Sequence, residues 1–302
     1  MVRILGADSF GSRSMATVVE ASGVKIVIDP GVSYAPRRYG LPPHPREIER
    51  FCEIKHRIVD ELSDADIVII SHYHYDHYLY KSKDIQYYRN KILLIKNPVT
   101  SINVSQRLRA HKLLKKYGLE AIAKEVKYID NASYSPSNGL IIRGSSPVPH
   151  GSSSSRLGYV VMTCIKCCGY SFLHASDVQG PIEGLVVSMM LECNPDIIYL
   201  SGPPIYLKGV LGEELISRAF DNLEHLLASL RKEAVIIVDH HMARDLSYTD
   251  KLQELKAMSA NILSAAEYMG RRIELLEALR RELWGDEVDK DLFDQNIPIN
   301  CD

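Results

Sequence analysis

Cysteine is scarce in this 302-residue chain: six residues, too few for a disulfide scaffold. Cys164, Cys167 and Cys168 cluster, yet no second Cys-x-x-Cys completes a four-thiolate zinc site, so reduced thiols at a strand end and turn are expected. No apolar run approaches the roughly 18 residues of a membrane span. The opening Met-Val-Arg-Ile-Leu-Gly-Ala-Asp lacks the basic and apolar regions of a signal peptide, and a cytoplasmic protein without membrane attachment is expected. Excess charge of one sign is missing as well: 36 Lys plus Arg stand against 38 Asp plus Glu, a formal net charge of -2. That gives no general attraction to phosphate backbones or anionic lipid, so nucleic acid is unsupported as a partner. Repeats, low-complexity tracts and a Gly-x-Ser-x-Gly nucleophile elbow are also lacking.

What remains is an ordinary globular composition, 46% hydrophobic and 25% charged, read as a single domain over residues 1–302. Short β-branched runs predict strands at 2–5, 15–20 and 24–29, the last closed by Asp29-Pro30-Gly31. A Pro-rich basic loop with Arg37, Arg38 and His44 follows, then a helix from Pro45 in which Phe51, Ile58 and Leu62 recur at helical spacing. Further strands are expected at 66–70, 91–95, 139–143, 157–164, 170–175, 196–200 and 234–238, and helices at 104–116, 215–230, 250–268 and 271–283 before a polar tail. Residues 131–138 read as turns, and Gly202-Pro203-Pro204 as a chain stop or a pocket wall.

Chemistry concentrates in Ser71-His72-Tyr73-His74-Tyr75-Asp76-His77, directly after an apolar strand. By composition, His-x-His-x-Asp-His arises by accident in a chain of this length with odds on the order of one in a thousand. An extended backbone puts His72 and His74 on one side, where two imidazoles can share a cation, and Asp76 and His77 on another course. Four donors on one loop suggest two metal ions. Other ligand-type residues just past strand ends are His150, Asp177, the pair His240-His241 and Asp29. Strand alternation lets one member of His240 and His241 face the site. His174 reads as a packed strand residue, and His56, His111 and His225 as helix surface or packing residues.

In order and spacing, Asp29, His72-x-His74-x-Asp76-His77, His150, Asp177 and a late histidine resemble the five motifs of the metallo-β-lactamase superfamily. Ser14-Met15-Ala16-Thr17, Asp29-Pro30-Gly31 and Tyr39-Gly40-Leu41-Pro42-Pro43-His44-Pro45 further resemble an archaeal family of uncharacterised predicted hydrolases within it. The resemblance implies an α/β fold, an αββα four-layer sandwich with the metals at one edge. It implies His72, His74 and His150 on one metal, Asp76, His77 and a late histidine on the other, Asp177 between them, and Asp29 orienting a ligand imidazole.

Two divalent ions, zinc first with manganese or iron as alternatives, would supply hydroxide at neutral pH, with Asp76 orienting it. The expected activity is metal-dependent hydrolysis of a small-molecule or nucleotide substrate. A phosphodiester is the first choice, with Arg37 and Arg38 as anion contacts, and a thioester or lactone the second. An iron-dependent sulfur dioxygenase is the competing class. Oxygen-reducing diiron flavoproteins of the superfamily fit less well, because they carry Glu where this chain has His74.

Overall fold

The computed structural model describes residues 1–259, 261–285 and 301, so most of the expected polar tail lies outside the described residues. A six-stranded sheet runs in chain order through β1 (Val2–Ile4), β2 (Thr17–Ala21), β3 (Val24–Ile28), β4 (Ile67–Ile70), β5 (Ile92–Ile95) and β6 (Glu125–Tyr128). Its first three strands form an antiparallel meander and β3 to β6 are parallel. The second sheet is built from β7 (Ser133–Ser137), β8 (Leu140–Gly144), β11 (Thr163–Cys167), β12 (Tyr170–Ser176), β13 (Ile197–Leu200), β14 (Val235–Val238) and β15 (Ile262–Leu263). Its order is β15-β14-β13-β12-β11-β8-β7, parallel from β12 to β15. A small antiparallel pair, β9 (Val148–Pro149) and β10 (Tyr159–Val160), stands apart.

Side-chain alternation builds the layers. Phe172, Tyr199 and Ile237 join the core shared with Ile28, Val68 and Leu93 of the first sheet, whereas their neighbours Leu173, Ile198 and Ile236 join a second core under the helices Gly184–Cys193, Glu213–Ser229 and Tyr248–Met258. β4 (Ile-Val-Ile-Ile) is buried on both faces, as a central parallel strand must be. Outside the first sheet lies the helix Pro45–Ser63, which buries Phe51, Ile54, Ile58 and Leu62. The result is the expected αββα sandwich.

Several local expectations are corrected. Residues 131–138 are not simply a turn: Ser133–Ser137 is β7, held by pairing with β8. The run 157–164 is divided between β10 and the start of β11. The helix expected over 250–268 ends at Met258, because Ile262 and Leu263 pair with β14 and Ser264 starts a new short helix through a Ser264/Glu267 capping box. Residues 271–279 are not helical: the Glu274 amide donates to Ser9 O, and Leu275 and Leu276 fill the core, so tertiary contacts override helical spacing. The helix Gly184–Cys193 was not expected at all, since its mostly apolar sequence has little helical periodicity.

The cysteine expectation is overturned as well. Cys52 is bonded to Cys301 and Cys164 to Cys193, leaving Cys167 and Cys168 as the free thiols among the described residues. Sequence spacing could not reveal these pairs, which join residues 249 and 29 positions apart.

Candidate metal centre

The carboxyl ends of β3, β4, β12 and β14 meet at one edge of the sandwich, the position where parallel sheets place ligand-binding loops. β3 delivers Asp29, β4 the His72–His77 loop, β12 Asp177 and β14 the pair His240-His241; β9 adds His150. Asp29, Ser176 and His240 all adopt left-handed backbone conformations, with φ of 47°, 56° and 50°, so the chain turns sharply as it leaves these strands. Gly31 is a requirement of the same packing: a Cβ there would lie 2.1 Å from the Tyr78 amide nitrogen, at the end of the His72–His77 loop.

Asp177 is the meeting point. Its Oδ2 lies 3.0 Å from His150 Nε2, 3.2 Å from His77 Nε2, 3.3 Å from His241 Nε2 and 3.7 Å from His72 Nε2, and its Oδ1 lies 3.2 Å from His240 Nε2. Donor atoms of His72, His74, His150 and Asp177 lie within 4.8 Å of one another, and so do those of Asp76, His77 and His240, and those of Asp177, His240 and His241. The structure thus brings together every residue singled out for the metals. It also corrects the alternation argument at 240–241: the left-handed turn at His240 directs both rings to Asp177.

Four of the imidazoles, those of His72, His77, His240 and His241, are aimed by their other nitrogen, whereas His150 Nδ1 has no partner among the described residues. His77 Nδ1 donates to Asp29 Oδ2 at 2.8 Å, and that carboxylate also accepts from the Ser71 amide and hydroxyl at 2.7 and 2.6 Å. His72 Nδ1 lies 3.0 Å from Ser71 Oγ, His240 Nδ1 2.6 Å from Asp8 Oδ2 and His241 Nδ1 3.0 Å from the Tyr206 hydroxyl. Such partners fix the ring and leave the Nε2 lone pair for a cation. Indeed His72 Nε2, His77 Nε2 and Asp177 Oδ1 are buried without a hydrogen-bond partner among the described residues. Orphaned donors of this kind are costly unless something coordinates them, and the set fits a divalent transition metal.

Electrostatics agrees. Burial, then the neighbouring His77 and His74, hold the His72 pKa well below the ordinary histidine value; burial and His150 do the same for His74. Burial alone would raise Asp177, but His240, His77 and His241 outweigh it and keep the carboxylate ionised. Burial opposes a charged His77, yet Asp177 and Asp29 push its pKa well above the usual value, so in this anionic pocket a proton stands where a cation would be welcome.

Sequence reasoning missed the supporting groups Asp8, Tyr206, Asp239 and Arg244. Asp8 follows β1 by four residues, a strand-end acid like Asp29, so the same criterion could have found it. Asp239 accepts from the Ser9, His240 and Ala265 amides and braces the His240 turn. Nothing in the sequence marks Tyr206. Arg38 reaches the rim, lying 4.9 Å over the Tyr206 ring and donating to Arg244 O. His44 is instead the N-cap of the helix Pro45–Ser63, accepting from the Arg46 amide. His174 is packed as expected, its Nε2 3.1 Å from Met15 O. Gly202, with φ of 65°, packs under Met242 and turns the chain toward Tyr206.

A cavity of about 580 Å³, lined by Arg143, Lys166 and Met189 among others, opens elsewhere and includes none of the clustered histidines.

Comparison with known proteins bears on the whole arrangement. Residues 11–79 match the metallo-beta-lactamase superfamily profile. Among solved structures, an isothiocyanate hydrolase from Delia radicum gut bacteria shares the fold with a TM-score of 0.51 at 16% identity, covering 87% of this chain and 95% of that one. Yeast PDE1 does so with a TM-score of 0.51 at 13% identity, covering 87% and 97%. Full-length similarity is much closer to archaeal proteins: the UPF0282 protein of Methanopyrus kandleri is 41% identical over 94% of this chain and 98% of its own length. That of Aeropyrum pernix is 43% identical over 95% of this chain and 99% of its own length. With this extent of identity, and with the αββα sandwich and edge-placed donor cluster described above, the chain belongs to the UPF0282 family of the metallo-β-lactamase superfamily.

Proposed function

We propose that the protein is a metal-dependent hydrolase acting on a small anionic substrate, a phosphodiester first. The observation that carries the reading is the set of orphaned, buried donors, His72 Nε2, His77 Nε2 and Asp177 Oδ1, converging from both sheets. His72, His74, His150 and Asp177 would hold one divalent cation; Asp76, His77, His240 and His241, with Asp177 between, form the second position. Zinc suits this histidine-rich set, with manganese or iron as alternatives. Bound cations lower the pKa of water to about 7 and polarise an ester oxygen.

The chain's own residues do the rest. Asp76 is kept ionised because His77, His240 and Arg244 outweigh its burial, so it accepts a hydrogen bond from an attacking water. Asp29 and Asp8 hold His77 and His240 in place. Arg38 and the Tyr206 hydroxyl, at the rim, present positive charge and a donor to the anionic part of the substrate. The proteins of the same fold include an isothiocyanate hydrolase and yeast PDE1, in keeping with a hydrolytic use of the scaffold.

The test is a panel of chromogenic phosphodiester, phosphomonoester, thioester and lactone substrates with added zinc or manganese and Asp177→Ala as the control. Diester turnover that vanishes in the control supports the proposal. Turnover of a thioester or lactone alone removes the phosphodiester preference, and oxygen consumption with a persulfide in place of any hydrolysis removes the hydrolase reading.

A further inference from the structure

The two halves of the centre are not alike. Each half holds a buried Nε2 without a hydrogen-bond partner among the described residues, that of His72 in one and that of His77 in the other; the difference lies in what stands beside Asp76 and His240. There a fixed cation is already in place: His240 Nδ1 pairs with Asp8 Oδ2 at 2.6 Å, and Arg244 Nη2 packs over the His240 ring, 2.9 Å from Nε2 and 3.2 Å from Nδ1. The same Nη2 is 3.2 Å from Asp76 Oδ2, while Arg244 Nε donates to Asp8 Oδ1 at 2.7 Å and Nη1 reaches the Tyr206 hydroxyl at 3.4 Å. Arg244 is 3% exposed, and a guanidinium cannot shed its charge in a protein.

A guanidinium packed on the His240 ring puts a permanent positive charge beside the Nε2 lone pair, and a second cation there meets that charge at close range. Asp76 is in the same position, since the charge that would attract a second ion is already neutralised by Arg244. We propose that Arg244 is a built-in competitor for the second cation: its guanidinium occupies the Asp76 and His240 side of the centre, so that one ion binds tightly and a second enters only by displacing it. The second position then responds to the concentration of free metal, and its occupancy is a property the chain regulates through one side chain. Asp8 is the anchor, because it holds Arg244 and His240 together from behind. The inference rests on the metal-dependent reading above and concerns stoichiometry, which is measured without any substrate.

The experiment is a zinc titration of the whole chain against a competing chelator, with bound metal counted by elemental analysis. The wild type should take up zinc in two steps, the second weaker by about tenfold or more, the scale of a charge-assisted hydrogen bond that must be given up. Arg244→Met should tighten the second step by a similar factor and leave the first unchanged, which also shows that the variant is folded. Arg244→Lys, which keeps the charge without the fork, should fall between them. Two steps of equal affinity in the wild type overturn the proposal, whatever the variants do, as does an Arg244→Met second step that is unchanged or weaker. A chain that binds no zinc at all overturns both this proposal and the metal-dependent reading; one that binds zinc in two unequal steps yet hydrolyses nothing overturns the hydrolase reading alone.

Discussion

Asp29 acts on the centre through the groups it holds. It takes three hydrogen bonds, from the Ser71 amide, the Ser71 hydroxyl and His77 Nδ1, and is completely buried. Replacing it by Asn keeps the shape and the acceptor for the Ser71 amide but removes the charge and the oxygen that orient His77. Asp29→Asn should therefore lower zinc affinity by about 10- to 100-fold, the range for such supporting partners, with little change in fold as read by circular dichroism. Unchanged affinity would show that His77 takes no part in binding. At 240–241 the expectation differs from strand alternation: because both rings approach Asp177, His240→Ala and His241→Ala should each reduce retained zinc, and a silent His241→Ala would assign that ring to the substrate side with Tyr206.

At the scale of elements, the site depends on loops that leave parallel strands within contact of one another. The Asp29-Pro30-Gly31 turn lies directly against the His77–Tyr78 backbone. Gly31→Ala forces a methyl group into that contact and should cost about 1–3 kcal/mol, as overpacking does, and shift the His72–His77 loop enough to lose zinc. Gly139→Ala is the comparison, a left-handed glycine with open space around it in the β7–β8 hairpin; it should strain its own turn and leave zinc uptake unaltered. Equal loss of zinc in both variants would mean that uptake follows general stability and not loop position.

Across the whole molecule, the C-terminal segment clamps the N-terminal half. Arg280 pairs with Glu47 at 2.7 Å and donates to Ala35 O and Leu41 O, Trp284 Nε1 donates to Pro42 O, and Arg13 pairs with Glu277 through two contacts of 2.6 Å. The Pro-rich basic loop is therefore tied down. Burial alone would raise the Glu277 pKa, but Arg13 outweighs it and depresses it. A depressed folded-state pKa contributes stability above the ordinary glutamate range, lost as pH falls through the lower folded value. Glu277→Gln should cost about 1–3 kcal/mol at pH 7, and its deficit against wild type should shrink in acid. Urea melts at several pH values measure this, and a deficit that grows in acid would contradict the sign.

The Cys52–Cys301 bond closes the chain's largest loop of this kind among the described residues, tying the last part of the chain to the helix Pro45–Ser63. Cys52→Ser should lower stability by about 2–5 kcal/mol, and reductant should lower the wild-type melting temperature while leaving that of the variant less affected. A wild type indifferent to reductant would show that this bond contributes nothing.

The sequence by itself determined the strands that bear the site and the donors at their ends, because both signals are local. β-branched runs such as Ile67–Ile70 and Val235–Val238 mark buried strands, and His72–His77 is too dense to be accidental. Through the family resemblance of those motifs it also pointed to the sandwich. Only the tertiary structure decided what surrounds those donors. Asp8 meets His240 across 232 positions of chain and Arg244 meets Asp76 across 168, and no local pattern encodes either contact. The turn that brings both late histidines inward depends on a left-handed backbone at His240 braced by Asp239, and the failed C-terminal helices on pairing with β14 and Ser9. In each case the deciding energy comes from groups distant in sequence, where burial and pairing outweigh the propensity of the segment itself.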